Sequence, residues 1–305
     1  MNTRFHIIIP GIDDESGDRL FGAVKQEVNR IENKLSRFIP DSDVAMLNKK
    51  AANESVRADD EFFEIINACR VCWDITEGAF DPTLRPLMEY WKSRSEVYET
   101  DEKLNGIKDN IGMGKVQIDS ELKTIQFDSD GLEIDLGGFG KGYALEKVKY
   151  MLKDASVKSA FISFGESSIL ALGEHPAGGS WKIGMNDYLN PGHSLHRFYV
   201  SGGSVSTSSN FFVSDNGRLK NHRHVIDPRI GQPVERCCSV SVSAESPVLA
   251  EMLSTAFLVS SDEVIYEVMN QYDHLEVIKV DYESGQGIVT EFEQKEADPM
   301  VQEDN

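Results

Sequence analysis

A glycine-rich stretch, residues 134–144, is the part of this sequence whose composition could bind a phosphate. It reads Ile-Asp-Leu-Gly-Gly-Phe-Gly-Lys-Gly-Tyr-Ala. Residues 132–134 before it alternate apolar and polar, and residues 143–152 have mostly helical spacing, so we expect a strand that passes through the glycines into a helix. Glycine permits positive φ and close approach to a ligand, and the free amides at a helix start attract anions. The same pattern is typical of a plain tight connection, and it matches neither dinucleotide nor P-loop spacing.

The charge balance limits the partners of the protein. Its 305 residues carry a formal net charge of −20, which repels nucleic acid and anionic lipid, so we expect no nucleic-acid partner. An anionic substrate would need help from lysines, helix N-termini or a divalent cation. The sequence has no apolar run near 18 residues and no secretory signal pattern, so we expect no membrane segment and a cytoplasmic protein.

Several elements can be predicted from local signals. Helical spacing predicts helices that end near Leu35 and Gly78, and Ser246-Pro247 is a typical helix start. The prolines of residues 78–87 argue against regular structure there. Residues 204–210, Ser-Val-Ser-Thr-Ser-Ser-Asn, are expected to form a hydroxyl-rich loop.

Five patterns occur along the chain in a fixed order. They are Leu-Ser-Arg-Phe at 35–38 with Pro-Asp-Ser at 40–42, Gly-Ala-Phe-Asp-Pro-Thr at 78–83, Asp-Leu-Gly-Gly at 135–138 with Lys-Gly-Tyr-Ala at 141–144, His-Val-Ile-Asp-Pro-Arg at 224–229, and Ala-Glu-Met-Leu-Ser-Thr-Ala at 250–256. In these five stretches the sequence resembles the ApbE family, the FAD:protein FMN transferases. The resemblance covers about residues 1–292, which we expect to be one domain, and the acidic residues 293–305 are expected to be a frayed tail.

The resemblance implies a fold and a reaction. The fold would be α+β, with mixed β-sheets packed against helices and a possible internal duplication. The substrate would be FAD, and with Mg²⁺ the enzyme would transfer its FMN half to an acceptor flavoprotein that carries a Ser/Thr flavinylation motif, releasing AMP. Two alternatives stay open: an FAD pyrophosphatase that gives FMN and AMP, and an FAD-binding protein without catalysis.

The resemblance also implies site residues. Glu251 and Thr255 lie four residues apart on one helix face and, with the carbonyl of Gly140, would hold Mg²⁺, which prefers hard oxygen ligands. His224 would be the general base toward the acceptor hydroxyl. Structural alternatives are an exposed helix charge for Glu251, core filling for Thr255 and a turn residue for His224. The residues expected near FAD are Met1, Phe38, Ala79, Phe80, Asp81, Gly137, Lys141, Tyr143 and His224.

Three positions depart from the family pattern. Glu251 stands where the family usually has Asp, and the longer side chain would shift a bound ion by up to about one C–C bond, an error that can lower activity. Residues 165–167, Gly-Glu-Ser, replace a frequent Gly-Gly-Asn and are expected to bring a negative charge near the wall of the site. Gly140 replaces a common Ala, which a carbonyl ligand tolerates.

Overall fold

The computed structural model of the protein describes residues 3–92, 102–215, 217–283 and 285–294. Met1, expected near FAD, and the greater part of the predicted tail, residues 295–305, lie outside the described residues. In chain order the helices are α1 (Asp14–Leu35), α2 (Asp43–Lys50), α3 (Asp60–Ile75), α4 (Arg85–Lys92), α5 (Glu102–Lys108), α6 (Gly140–Asp154), α7 (Pro247–Ala256) and α8 (Asp262–Met269).

The described strands form one large antiparallel sheet and four small ones. The strands are β1 (Phe5–Ile8), β2 (Val56–Arg57), β3 (Val116–Asp119), β4 (Thr124–Phe127), β5 (Ala160–Phe164), β6 (Ser168–Leu172), β7 (Trp181–Asn186), β8 (Ser194–Val200), β9 (Gly202–Ser209), β10 (Phe211–Val213), β11 (Leu219–Asn221), β12 (Ile226–Asp227), β13 (Gln232–Pro233), β14 (Cys237–Ala244), β15 (Glu276–Glu283) and β16 (Gln286–Phe292). Seven of them pair in the order β1-β5-β6-β9-β14-β15-β16. Small sheets β2-β4-β3, β7-β8, β10-β11 and β12-β13 surround it.

The large sheet has two differently covered faces, because successive side chains of a strand point to opposite sides. On one face Leu170 and Val240 join the main hydrophobic core, where α6 and α7 pack on the sheet. On the other face Ala171 and Val205 pack against the β7–β8 hairpin in a second core. The strands that form the sheet therefore serve two separate interiors.

The α+β class predicted for this chain is confirmed, and several helix boundaries lie where capping predicts them. Asp13 caps α1, Ser42 caps α2 and Ser246 caps α7, with Pro247 as its first residue. The predicted internal duplication stays a prediction. No helix among the described residues has both the length and the apolar character that a membrane crossing needs.

The predicted hydroxyl-rich loop at residues 204–210 is wrong. Residues 202–209 form β9, a central strand between β6 and β14. The hydroxyls are tolerated because they find partners: Ser204 Oγ donates to the Ile169 carbonyl at 2.6 Å, and Ser206 and Ser208 bond side chains of α7. Local composition predicts a loop, but a strand forms because the serine hydroxyls have hydrogen-bond partners in the folded protein.

Two further local predictions fail for identifiable reasons. Residues 132–134 form no strand; instead the Asn48 amide bonds both the carbonyl and the N–H of Ile134, at 2.9 and 2.8 Å, in place of a partner strand. Residues 85–92 form helix α4 despite Pro86. A proline is tolerated in the first turn of a helix, where its missing N–H would have no helical partner.

Candidate functional site

A pocket of about 490 Å³ lies where α7, β9, the glycine-rich stretch and the loop after α3 meet. It gathers residues that are far apart in the sequence. The predicted site residues that line it are Ala79, Phe80, Asp81, Gly137, Lys141, His224, Glu251 and Thr255. The pocket therefore joins four of the five stretches that carried the resemblance.

Phe38, from the fifth stretch, does not line the pocket. Its side chain is 77% exposed, and the Arg37 guanidinium lies 3.9 Å from the centre of its ring. Arg37 Nε is in turn 2.6 Å from Asp135 Oδ2, and Asp135 does line the pocket. Phe38 is thus connected to the site through one ion pair, with its outer face open to a ligand.

Tyr143 points away from the pocket and serves the packing of α6. Its hydroxyl donates to Glu61 Oε1 at 2.7 Å, and its ring stacks on Phe139 with 5.5 Å between ring centres. Burial and the Glu61 carboxylate raise the pKa of Tyr143 above its ordinary value, so the phenol stays protonated. Contact between Tyr143 and FAD stays a prediction.

One glycine of the glycine-rich stretch, Gly142, is needed for close packing. None of Gly137, Gly138, Gly140 and Gly142 has a positive φ, so the expectation that the turn uses that freedom is wrong. A Cβ on Gly142 would lie 2.5 Å from the Pro247 carbonyl oxygen and 2.7 Å from Glu251 Cβ. Any side chain at position 142 would therefore push α6 away from α7.

Glu251 is buried in the wall of the pocket, with 3% of its surface exposed. Its Oε1 forms an ion pair with Lys141 Nζ. Its Oε2 accepts hydrogen bonds from Ser168 Oγ at 2.5 Å and from Ser206 Oγ at 2.9 Å. The alternative that Glu251 is an exposed helix charge is wrong, because a buried carboxylate needs this set of partners.

The surroundings of Glu251 suit a hard cation. Thr255 lies one helical turn further on, also lines the pocket, and its hydroxyl is 3.3 Å from Ser208 Oγ. Gly140, the first residue of α6, is buried and is not among the residues that line the pocket, so its carbonyl as a ligand stays a prediction. Carboxylate and hydroxyl oxygens are ligands that Mg²⁺ accepts, so Glu251 and Thr255 fit it. Within the described ranges no three His, Cys, Asp or Glu side chains cluster to hold a metal, so further ligands would come from water and substrate.

His224 stands at the pocket wall just before the β12–β13 hairpin. Its ring centre lies 5.6 Å from that of His222. Burial and the neighbouring His222 lower the pKa of His224 below its ordinary value of 6.5. The imidazole is therefore neutral at pH 7 and able to accept a proton. Asp227, which follows it, fixes the hairpin through two hydrogen bonds from the Arg229 side chain, at 2.9 and 2.8 Å.

Asp81 is a second carboxylate of the pocket, and its partners are neutral. Its Oδ1 accepts from the Thr83 amide at 2.8 Å and from the Thr83 hydroxyl at 2.7 Å. Burial raises the pKa of Asp81 to about 6, despite these hydrogen bonds. Through Thr83 the Asp81 side chain holds the turn at residues 81–83, and it presents a weakly basic carboxylate to the pocket.

Comparison with known proteins assigns the family. The model of the ApbE family matches residues 1–279. The chain belongs to the ApbE family. A FAD:protein FMN transferase of Vibrio cholerae is 26% identical over 283 residues, covering 89% of this chain and 82% of the relative. Another from Escherichia coli K12 is 23% identical over 282 residues, covering 89% and 79%.

Solved structures of ApbE proteins share the fold. The ApbE protein of Thermotoga maritima superimposes with a TM-score of 0.77 at 26% identity, over 93% of this chain and 91% of its own. The flavin transferase ApbE of Vibrio cholerae gives a TM-score of 0.80 at 22% identity, over 96% and 94%. The ApbE-like fold predicted from the sequence is confirmed.

Residues 165–167, Gly-Glu-Ser, lie beside the pocket in this ApbE-family chain. Glu166 is exposed at the β5–β6 turn with a φ of 61°, and it does not itself line the pocket. Ser167, the next residue, does line it, and its carbonyl accepts from the Thr207 amide at 2.7 Å. The expected negative charge is thus next in sequence to the wall of the pocket.

The sequence reasoning missed the serines beneath Glu251. Ser168 and Ser206 are directly opposite each other on β6 and β9, both buried, and both bond Glu251. One signal could have revealed them: residues 204–208 place a hydroxyl at every second position, the period of a strand. Asp135, which also lines the pocket, was quoted only as part of a motif.

Proposed function

We propose that this ApbE-family protein transfers the FMN half of FAD to a Ser or Thr hydroxyl of an acceptor protein, with Mg²⁺, and releases AMP. The names of its curated relatives support flavin transfer from FAD to protein. The observation that carries the proposal is the pocket, which brings Asp81, Lys141, His224 and Glu251 together. An assay has to separate this transfer from simple FAD binding, because the names of the relatives and the pocket fit both.

The proposed reaction is one phosphoryl transfer. The acceptor hydroxyl oxygen forms a bond to the phosphorus of the FMN half, and the bond from that phosphorus to the bridging oxygen breaks. The bridging oxygen leaves with AMP, and the hydroxyl proton passes to a base. His224 fits that role because its lowered pKa keeps it neutral at pH 7, and it lines the pocket.

The remaining residues hold the diphosphate in a strongly acidic protein. Lys141 lines the pocket at the start of α6, and its ammonium can pair with phosphate oxygens. The positive end of the α6 dipole points the same way, and Phe139 at its N-cap makes no side-chain bond to the first amides. A bound Mg²⁺ would neutralise charge on the diphosphate, held by Glu251, Thr255 and the carbonyl of Gly140.

The test is to incubate the purified protein with FAD and Mg²⁺, with and without the folded acceptor protein of a characterised ApbE-family transferase. AMP is quantified by chromatography, and covalent flavin on the acceptor is detected by fluorescence after denaturing electrophoresis. We expect AMP and flavinylated acceptor only when both proteins are present. The matched control is the same acceptor with its target hydroxyl residue replaced by valine.

The alternatives give different results in the same assay. AMP released at the same rate without acceptor would identify a pyrophosphatase that uses water. Bound FAD without AMP under every condition would identify a binding protein without catalysis. Either result would overturn the proposed transfer.

A further inference from the structure

We propose that Ser168 and Ser206 are positioning residues that hold Glu251 by its inner oxygen, Oε2, so that a divalent cation in the pocket meets Oε1 alone. This inference rests on the proposed function only in taking a cation as a partner of Glu251. Its basis is the hydrogen bonding of this one buried carboxylate.

The two serines form a pair built into the centre of the large sheet. Ser168 on β6 and Ser206 on β9 are cross-strand neighbours, and they are 1% and 2% exposed. Both hydroxyls lie within hydrogen-bond distance of the same oxygen, Glu251 Oε2, at 2.5 and 2.9 Å. Neither serine lines the pocket; the lining residue that both contact is Glu251.

The number of bonding positions then decides what Oε1 can do. A carboxylate oxygen offers about two lone-pair directions, and the two hydroxyls fill those of Oε2. The other oxygen, Oε1, meets Lys141 Nζ, which lines the pocket. A cation that enters the pocket therefore binds Glu251 through one oxygen and shares that oxygen with Lys141, or replaces it there.

The length of the glutamate is what makes this arrangement possible. The helix α7 lies against the large sheet, and from there the carboxylate of Glu251 reaches two hydroxyls of the sheet, those of Ser168 and Ser206. An aspartate would be shorter by about one C–C bond and would leave hydrogen bonds of this length unmade. The serines thus fit the glutamate at position 251 of this chain.

The strand also supplies a matched control. Ser204 is two residues from Ser206 on the same face of β9 and is 1% exposed. Its hydroxyl bonds the Ile169 carbonyl instead of Glu251. Ser204→Ala therefore removes a buried hydroxyl from the same strand and leaves the carboxylate untouched.

The experiment measures Mn²⁺ binding by electron paramagnetic resonance in the presence of FAD and without acceptor. The variants are Ser168→Ala, Ser206→Ala, Ser204→Ala and Ser206→Thr, and thermal unfolding checks that each is folded. We expect Ser168→Ala and Ser206→Ala to weaken Mn²⁺ binding about tenfold or more, as changes behind a metal ligand do. Ser204→Ala should bind like the parent, and Ser206→Thr should retain most of the affinity because it keeps a hydroxyl.

Three outcomes would overturn the proposal. In the first, Ser168→Ala and Ser206→Ala bind Mn²⁺ as the parent does. In the second, Ser204→Ala weakens binding equally, which would indicate strand packing. In the third, the folded parent binds no Mn²⁺ with FAD. The proposed transfer is judged separately by AMP release: normal flavinylation with unchanged Mn²⁺ affinity in all variants would remove only the role of the serines.

Discussion

The two faces of the large sheet differ in what their buried side chains do. Toward the β7–β8 hairpin, Ala171 and Val205 pack against Phe198 and other apolar side chains. Toward α7, the same two strands present Ser168 and Ser206 to the carboxylate of Glu251. Along β6 and β9, side chains that pack against the hairpin therefore alternate with side chains that face the candidate site.

This difference separates stability from chemistry within one sheet. Burial of apolar surface stabilises the fold, whereas a buried polar network is tolerated only when its members are satisfied. We therefore expect changes on the hairpin face to lower stability and to leave the ligand site intact. Changes around the pocket should alter ligand binding or turnover without a large loss of stability. Four substitutions test this contrast.

His224→Ala should have the largest effect, and it should be on turnover. Loss of a general base lowers a rate by about 10²–10⁴-fold, while FAD affinity should change little. Because the pKa of His224 is lowered, the neutral base persists below the ordinary value of 6.5. The turnover of the parent should thus decline with falling pH only at a pH below that value. Full turnover of the variant with acceptor present would remove His224 from the mechanism.

Phe198→Ala should have the next largest effect, on the hairpin face. Phe198 is 1% exposed, and truncation of a buried phenylalanine costs about 3–5 kcal/mol in the free energy of unfolding. Urea denaturation measures this loss, and isothermal titration with FAD should give an unchanged dissociation constant for the folded protein. A large loss of FAD affinity would show that the two faces are coupled.

Asp81→Asn should stabilise the protein, by at most about 3 kcal/mol, the free energy of a pKa shift from 3.8 to about 6. Above pH 6 the parent holds a charged, poorly solvated carboxylate in the folded state, which Asn removes while it can still accept from Thr83. As pH falls from 6 to 3.8 the folded parent takes up the proton, so its disadvantage should vanish below about pH 4.

Denaturation at pH 8 and pH 4 measures both ends of this prediction. Thr83→Val is the control: it keeps the charge of Asp81 and removes the two hydrogen bonds of the Thr83 hydroxyl, one to Asp81 and one from the Gly112 amide, so its effect should be a loss of stability at both pH values. A parent that is more stable than Asp81→Asn at pH 8 would contradict the expected direction.

Phe38→Ala should have the smallest effect. The ring is 77% exposed, so stability should change by no more than about 0.5 kcal/mol. If FAD stacks on the open face of the ring, its affinity should fall by about 0.5–1.5 kcal/mol, the usual strength of an aromatic pair. Phe21→Ala, another exposed phenylalanine, on α1, is the matched control for titration with FAD. Equal affinities in both variants would place Phe38 outside the site.

Local signals in the sequence account for much of the fold. Ser246-Pro247 correctly marked the start of α7. Residues 204–210 misled because serine-rich composition resembles a loop, and only partners on α7 make those hydroxyls tolerable in a strand. The Asn48 side chain replaced a strand partner in a way that no local pattern reveals.

The sequence predicted which residues belong to the candidate site better than it predicted the contacts between them. The motifs brought Glu251 and Lys141 to attention separately, but nothing in their spacing showed that they pair with each other. The expectation of a ligand-facing glycine turn missed that Gly142 is fixed by the approach of α7. Such contacts depend on the packed arrangement of distant segments, and a single sequence does not contain that arrangement as a pattern.

The position of Glu251 late in the chain bears on how the protein folds during synthesis. Its three side-chain partners precede it by 110, 83 and 45 residues. A growing chain can therefore pair β6 with β9 before α7 has left the ribosome. At that stage Ser168 and Ser206 lack their partner, because Glu251 has not yet been synthesised. Such long-range closures form slowly, and domains fold as units once their last elements emerge. A chain that stops short of residue 251 would carry most walls of the pocket without the anion that organises them.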